Sequence, residues 1–193
     1  MRGLKKLYRR NWKKKYDHEL ILSRHQSPGP FPFVLVLDHL KAGYNVGKII
    51  RAGNAFGCRE LHLVGIPMFD PTPSKGSLKA TKTRVFENIE SSLELLTADG
   101  YEIFALAPDG RETLGQCSFP EKTAFVVGHE EFGLSFQLEK FPQVRTMKIM
   151  QFGSVQSLNV SIAAALASYE YLRQRIFLKA QEPLLSGLLG DLR

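Results

Sequence analysis

The chain has 193 residues, 44% of them hydrophobic, enough to bury one good core and to favour a single domain. Its two cysteines, Cys58 and Cys117, have no metal-ligand or disulfide-framework spacing, no apolar run approaches the ~18 residues of a membrane span, and the N-terminus carries no hydrophobic signal core. The expected setting is therefore a reducing cytoplasm, with no metal and no membrane. The net charge of +7 is unevenly placed: "MRGLKKLYRRNWKKKY" holds eight Lys/Arg and no acid, and the rest has 18 basic against 19 acidic residues. A basic arm of this kind suits a polyanion such as RNA. Leu4, Tyr8, Trp12 and Tyr16 recur at four-residue steps, so the arm reads as a helix whose apolar stripe packs on the domain or a second subunit, or stacks on bases. Scarce serine and the aromatic content argue against a mitochondrial presequence.

"SPGPFP" at 27–32 breaks any helix from the arm, and "FVLVLD" at 33–38 reads as a buried strand. "NVGKIIRAGNAF" at 45–56 predicts a helix with one apolar side, ended by Gly57. A strand at 60–65 follows, then a long Pro-, Gly-, Ser- and Lys-rich loop whose lysines could touch phosphate. A helix at 87–98, strands at 102–108 and 123–128, a short helix at 135–139, a strand at 146–150 and a final helix at 157–179 complete the chain. The alternation predicts a three-layer α/β domain with a mostly parallel sheet and helices on both faces, over residues 32–179, flanked by a basic extension (1–31) and a tail (180–193). Ligands of such sheets settle outside the carboxyl ends of strands.

Three loops there could carry chemistry. "GHEEFGLS" offers backbone N–H groups, with Gly128 and Gly133 permitting close approach of a ligand. It matches neither the Walker loop nor the dinucleotide GxGxxG pattern, so a nicotinamide-dependent oxidoreductase is remote. Glu130 either braces this loop or meets substrate, and His129 is structural or incidental. Arg51 is a single cation in an apolar helix, either solvated, salt-bridged or functional. Asn45 could be that helix's N-cap, and Ser157 could cap the last helix, with Asn159 and Ser161 facing polar surroundings.

In this order, "NVGKIIRAGNAFG", "VVGHEEFGLS" and "IMQFGSVQSLNVSIAAAL" resemble the three motifs of SpoU-type (TrmH-like) RNA ribose 2'-O-methyltransferases of the SPOUT superfamily, over roughly residues 33 to 175. The resemblance implies an α/β fold with a C-terminal trefoil knot, a homodimer, and S-adenosylmethionine held in the knotted loops. It assigns a role on the ribose hydroxyl to Arg51, with Asn45, Glu130, Ser157 and Asn159 orienting it and the ribose. It assigns cofactor binding to Val127, Gly128, Gly133, Ile149, Gln151, Ser157 and Leu158. Two positions depart from the pattern: Ile149-Met150-Gln151 stands where the family has Ile-Pro-Met, and Asn54 stands where an acid is frequent. The implied substrate is tRNA in preference to rRNA. The altered third motif also allows an RNA-binding or ribosome-assembly protein that keeps the fold without catalysis.

Overall fold

The computed structural model describes the backbone of residues 2–178 and the side chains of residues 11–176. The chain opens with helix α1 (Arg2–Arg24), followed by β1 (Phe31–Asp38), α2 (Tyr44–Ala55), β2 (Cys58–Val64), a 3-10 turn (Thr72–Ser74), α3 (Ser77–Ala80) and β3 (Thr83–Phe86). Helix α4 (Ile89–Ala98), β4 (Glu102–Leu106), β5 (Glu112–Thr113) and β6 (Thr123–Val127) come next. A 3-10 turn (Leu138–Lys140), β7 (Val144–Lys148), α5 (Val160–Leu172) and a π-helical turn (Arg173–Leu178) end the described chain.

All seven strands run parallel in the order β3-β2-β1-β6-β4-β7-β5. Parallel sheets are covered on both faces, which is why the central strands read as unbroken apolar runs. In β1, Phe33, Leu35 and Leu37 pack with Ile49 and Ile50 of α2, Leu78 of α3 and Tyr171 of α5. The alternate residues Val34 and Val36 pack with Ile89, Leu93 and Leu96 of α4. Burying a side chain of that size contributes about 1.5–3 kcal/mol each, so β1 is the spine of the domain. Tyr171 sits among Phe33 and Phe125, and its hydroxyl is satisfied by donating to the Glu121 carbonyl at 2.6 Å.

Several expected boundaries shift. β1 starts at Phe31, two residues before the predicted strand, and β4, β6 and β7 end earlier than the hydrophobic pattern suggested. The long loop at 66–83 carries a 3-10 turn and α3, both seated against α2, so it is not structureless. Strands β3 and β5 had no sequence signal. The helix expected at 135–139 is replaced by the 3-10 turn at Leu138–Lys140, and the last helix begins at Val160 rather than 157. Its predicted end at 179 and the tail at 180–193 lie outside the described residues.

The arm folds as a helix whose second half packs on the domain. Tyr16 is buried edge-on against Phe69 at 5.0 Å, and Lys82 donates to the Arg24 carbonyl at the helix end. Trp12 is half-buried, while the side chains of Leu4 and Tyr8 lie outside the described residues. Lys13, Lys14 and Lys15 remain exposed.

Candidate active site

The loops that leave the carboxyl ends of β4, β6 and β7 converge on a cleft of about 540 Å³, within the usual range for a small-molecule site. Val127, Gly128, Gly133, Ile149, Gln151, Ser157 and Leu158, all expected near a cofactor, line it, together with Glu130 and Asn159. Leu106, Ala107 and Pro108 after β4, and Gln156, also line it. Sequence reading missed these four, the first three because a short apolar strand end has no chemical signature of its own.

The turn after β6 is held by its own backbone. His129 N–H donates to Gly133 O at 2.7 Å, and Gly133 N–H returns to His129 O at 2.9 Å. A Cβ on Gly128 would come within 2.4 Å of the Gly133 carbonyl, and Gly133 has φ +72, so both positions favour glycine. His129 has a local role: Nδ1 accepts from the backbone N–H of Glu131 and Phe132, and the ring stacks on Phe132.

Inside this turn, Glu130 reaches across to the β1–α2 segment. Its Oε2 accepts from Lys41 N–H at 3.1 Å and its Oε1 accepts from Asn45 Nδ2 at 2.8 Å. Lys41 also pairs through Nζ with Glu131 at 2.5 Å. Partial burial pushes the Glu130 carboxyl up, but hydrogen bonds from Asn45, from the Lys41 backbone and from its own backbone outweigh it and hold it below the usual carboxylate value. A carboxylate so stabilised is a poor proton acceptor near neutrality, which favours bracing over general-base work.

Asn45 is not the helix cap. The N-cap of α2 is Gly43, without a side-chain cap bond, and the Asn45 amide is free to link loops. Its Oδ1 accepts from Asn159 Nδ2 at 3.2 Å, and Asn159 caps α5 by accepting from Ser161 N–H at 3.0 Å. Ser157, expected as that cap, lies before it in an irregular, exposed stretch on the cleft wall. One hydrogen-bonded chain, Glu130–Asn45–Asn159–Ser161, thus joins all three motifs. Arg51 stands apart: it is exposed on α2, is not a lining residue, and makes no hydrogen bond or ion pair among the described residues.

The cleft suits S-adenosylmethionine in donor set and shape. Apolar Leu106, Pro108, Ile149 and Leu158 can take a purine ring, and Glu130 and Glu131 provide an acidic end. Gln151 carries the clearest unmet requirement, since its Oε1 is shut off from solvent without a partner among the described residues. Met150 points the other way, towards Thr113, so Gln151 shares a side with Ile149. Among the described residues, no group of three or more His, Cys, Asp or Glu is arranged to hold a metal ion.

Known proteins resemble the chain in sequence and fold. The profile of the SpoU rRNA Methylase family matches residues 32–169. An uncharacterized tRNA/rRNA methyltransferase of Synechocystis sp. is 30% identical over 178 residues, which are 90% of this chain and 45% of that protein. The tRNA (guanosine(18)-2'-O)-methyltransferase of Thermus thermophilus is 32% identical over 148 residues, covering 74% of this chain and 75% of its own. Among solved structures, the SpoU methyltransferase AviRb from Streptomyces viridochromogenes, in complex with AdoMet, is 26% identical with a TM-score of 0.65, covering 77% of this chain and 62% of that one. With the profile spanning most of its length, the chain belongs to the SpoU rRNA methylase family.

Proposed function

We propose that the protein transfers the methyl group of S-adenosylmethionine to a ribose 2'-hydroxyl of structured RNA, with tRNA favoured over rRNA. Family membership makes it an S-adenosylmethionine-dependent methyltransferase. The observation that carries the finer reading is a cleft lined by the second and third motifs, to which the first is tied by the Glu130–Asn45–Asn159 hydrogen bonds. The Thermus relative's name supports the ribose position and tRNA, whereas the Synechocystis relative's name covers both RNA classes.

When bound, the cofactor would supply an electrophilic methyl on a sulfonium and leave as the neutral thioether S-adenosylhomocysteine, the proton of the ribose hydroxyl passing to water. The backbone of Val127, Gly128 and Gly133, with Ile149, Gln151, Ser157 and Leu158, holds it and excludes water from the apolar end. Asn45, Glu130 and Asn159 form a preorganised rim that orients the ribose. Arg51, exposed on α2 and unpaired among the described residues, clamps the neighbouring phosphate and stabilises charge developing on the ribose oxygen. Its placement off the cleft favours this role over proton removal.

The protein acts as a cytoplasmic homodimer. Ile162, Leu166 and Tyr169 form an exposed apolar stripe along α5, and a second copy would cover it. The trefoil knot and the division at residues 32 and 179 belong to the same reading, supported by the insertion of β6 between β1 and β4 and by the family match at 32–169. The exposed lysines of α1 add an RNA-attracting surface.

The test is tritiated methyl transfer to total RNA from a strain lacking the protein, followed by mapping of the modified ribose. Labelled 2'-O-methylribose in tRNA is the expected product. A methylated base would overturn the ribose assignment, and a chain unable to bind S-adenosylmethionine in calorimetry would be a non-catalytic RNA-binding protein.

A further inference from the structure

The apolar run of β1 ends in a residue that packing alone does not call for. Asp38 is fully buried, and a buried carboxylate costs free energy unless donors surround it. Three donors do: Ser135 N–H reaches Oδ2 at 2.7 Å, Ser135 Oγ–H reaches Oδ1 at 2.7 Å, and His39 Nδ1 donates to Oδ1 at 2.7 Å. Ser135 lies 97 residues away, two positions beyond Gly133. Leu37 pairs with Val127 in the sheet, so Asp38 leaves β1 at the level where Gly128 leaves β6.

Its two oxygens therefore grip two loops at once. On one side is the cofactor-wall turn, closed by the His129–Gly133 bridge and tied down immediately afterwards at Ser135. On the other is the start of the β1–α2 loop, where His39 takes φ +53, a left-handed conformation uncommon for residues other than glycine, while its N–H bonds to the Val64 carbonyl. That loop supplies the Lys41 N–H, and the first turn of α2 that it leads into supplies the Asn45 amide, which together hold Glu130. We infer that Asp38 is a positioning residue for cofactor binding: its carboxylate fixes the turn carrying Gly128, Glu130 and Gly133 against the β1–α2 loop, and so holds that wall of the cleft in place. The inference rests on reading this cleft as the S-adenosylmethionine site.

A purely architectural anchor would lower thermal stability and nothing else, so the experiment compares stability with cofactor affinity. The control is Ser92→Ala, which removes one of the two hydrogen-bond partners of the buried His62 beneath α4, the other being Glu60, and touches neither loop. Calorimetry with S-adenosylmethionine and thermal melting are carried out on wild type, Asp38→Asn, Ser135→Ala, the double variant of these two, and Ser92→Ala. Asp38→Asn should weaken cofactor binding about tenfold, the scale of a lost hydrogen bond to a charged group, and Ser135→Ala should weaken it less. The double variant should be no worse than Asp38→Asn alone, and Ser92→Ala should melt earlier yet bind as wild type does. Amide exchange should quicken over residues 128–135 in Asp38→Asn. If Asp38→Asn does not fold, Ser135→Ala alone decides. Unchanged affinity in the folded variants would reduce Asp38 to an architectural role. Ser157→Trp, which fills the cleft, separates the two failures: if it binds S-adenosylmethionine as wild type does, the cleft assignment falls whatever Asp38 does.

Discussion

Asn45 touches both of the other motifs at once, donating to Glu130 at 2.8 Å and accepting from Asn159 at 3.2 Å. A carboxamide suits this position because it offers a donor and an acceptor on one rigid group. Asn45→Asp replaces the donor to Glu130 with a second carboxylate and turns attraction into repulsion. Methyl transfer should fall further in Asn45→Asp than in Asn45→Ala, which loses about 1–2 kcal/mol of bracing and gains no repulsion. Initial rates on RNA at saturating cofactor check the ranking, and equal rates in the two variants would mean that the bridge does not act on the reaction.

The Glu130 carboxyl is held below its ordinary value of 4.5 by the hydrogen bonds it accepts. A group with a depressed folded-state value stabilises the fold at pH above its unfolded value, and that contribution is lost as pH falls through the folded value. Wild-type cofactor affinity should therefore hold from neutrality down to about pH 4.5 and decline below it. Glu130→Gln should bind less tightly at neutrality and lose little more on acidification. Calorimetric titrations between pH 7 and about 4, read as the difference between the two proteins, check this; parallel curves would assign the acid loss to other carboxylates.

Much of the architecture can be read from the chain because the central strands are buried on both faces: "FVLVLD" and "TAFVVG" have no polar face to blur the pattern. β3 and β5 escape for the opposite reason. Arg84 and Val85 are exposed in β3, and β5 is two residues long, so both owe their existence to a neighbour's backbone. Within the site, residue types pointed to the right loops, but not to the bonds between them. Ser157 and Asn159 are equally good caps by type, and the chain uses Asn159 because the irregular approach runs two residues further than expected. Asp38 reads as the end of a strand; its partner at Ser135 is visible only once β1 and β6 lie side by side.

Gln151 offers a prediction in which two readouts move in opposite directions. Its buried, unpartnered oxygen costs the unliganded protein about 1–3 kcal/mol, and a donor on the cofactor would remove that cost. Gln151→Met, which puts there the residue of the motif that the chain resembles, should raise the melting temperature without ligand and weaken S-adenosylmethionine binding about tenfold. Melting curves and calorimetry on the same preparation check both signs. Tighter binding in the variant would mean that the glutamine only impairs the site.

Arg51 lies off the cofactor cleft, so its loss should separate chemistry from cofactor binding. Arg51→Ala should lower methyl transfer by about a hundredfold or more, as removal of a charge-stabilising donor does, with S-adenosylmethionine affinity nearly unchanged. Arg51→Lys should recover only part of the rate, because a point charge lacks the fork that grips a phosphate through two bonds. Near-normal turnover in Arg51→Ala would remove the residue from the reaction.

The first helix should have two separable functions along its length. Tyr16 is buried against Phe69, so Tyr16→Ala should cost about 2–3 kcal/mol of stability, scaled from core aromatic truncations. Lys13 and Lys14 are exposed and form no ion pair among the described residues, while Lys15 sits 3.8 Å from Glu19. Reversing the charge of Lys13 and Lys14 should leave melting nearly unchanged and weaken RNA binding. The dependence of log affinity on log salt should also flatten by about one unit for each phosphate that the helix no longer neutralises. Filter binding across a salt series, beside melting curves, reads both functions. If the charge-reversed protein binds RNA as tightly as wild type at low salt, the helix only packs on the domain.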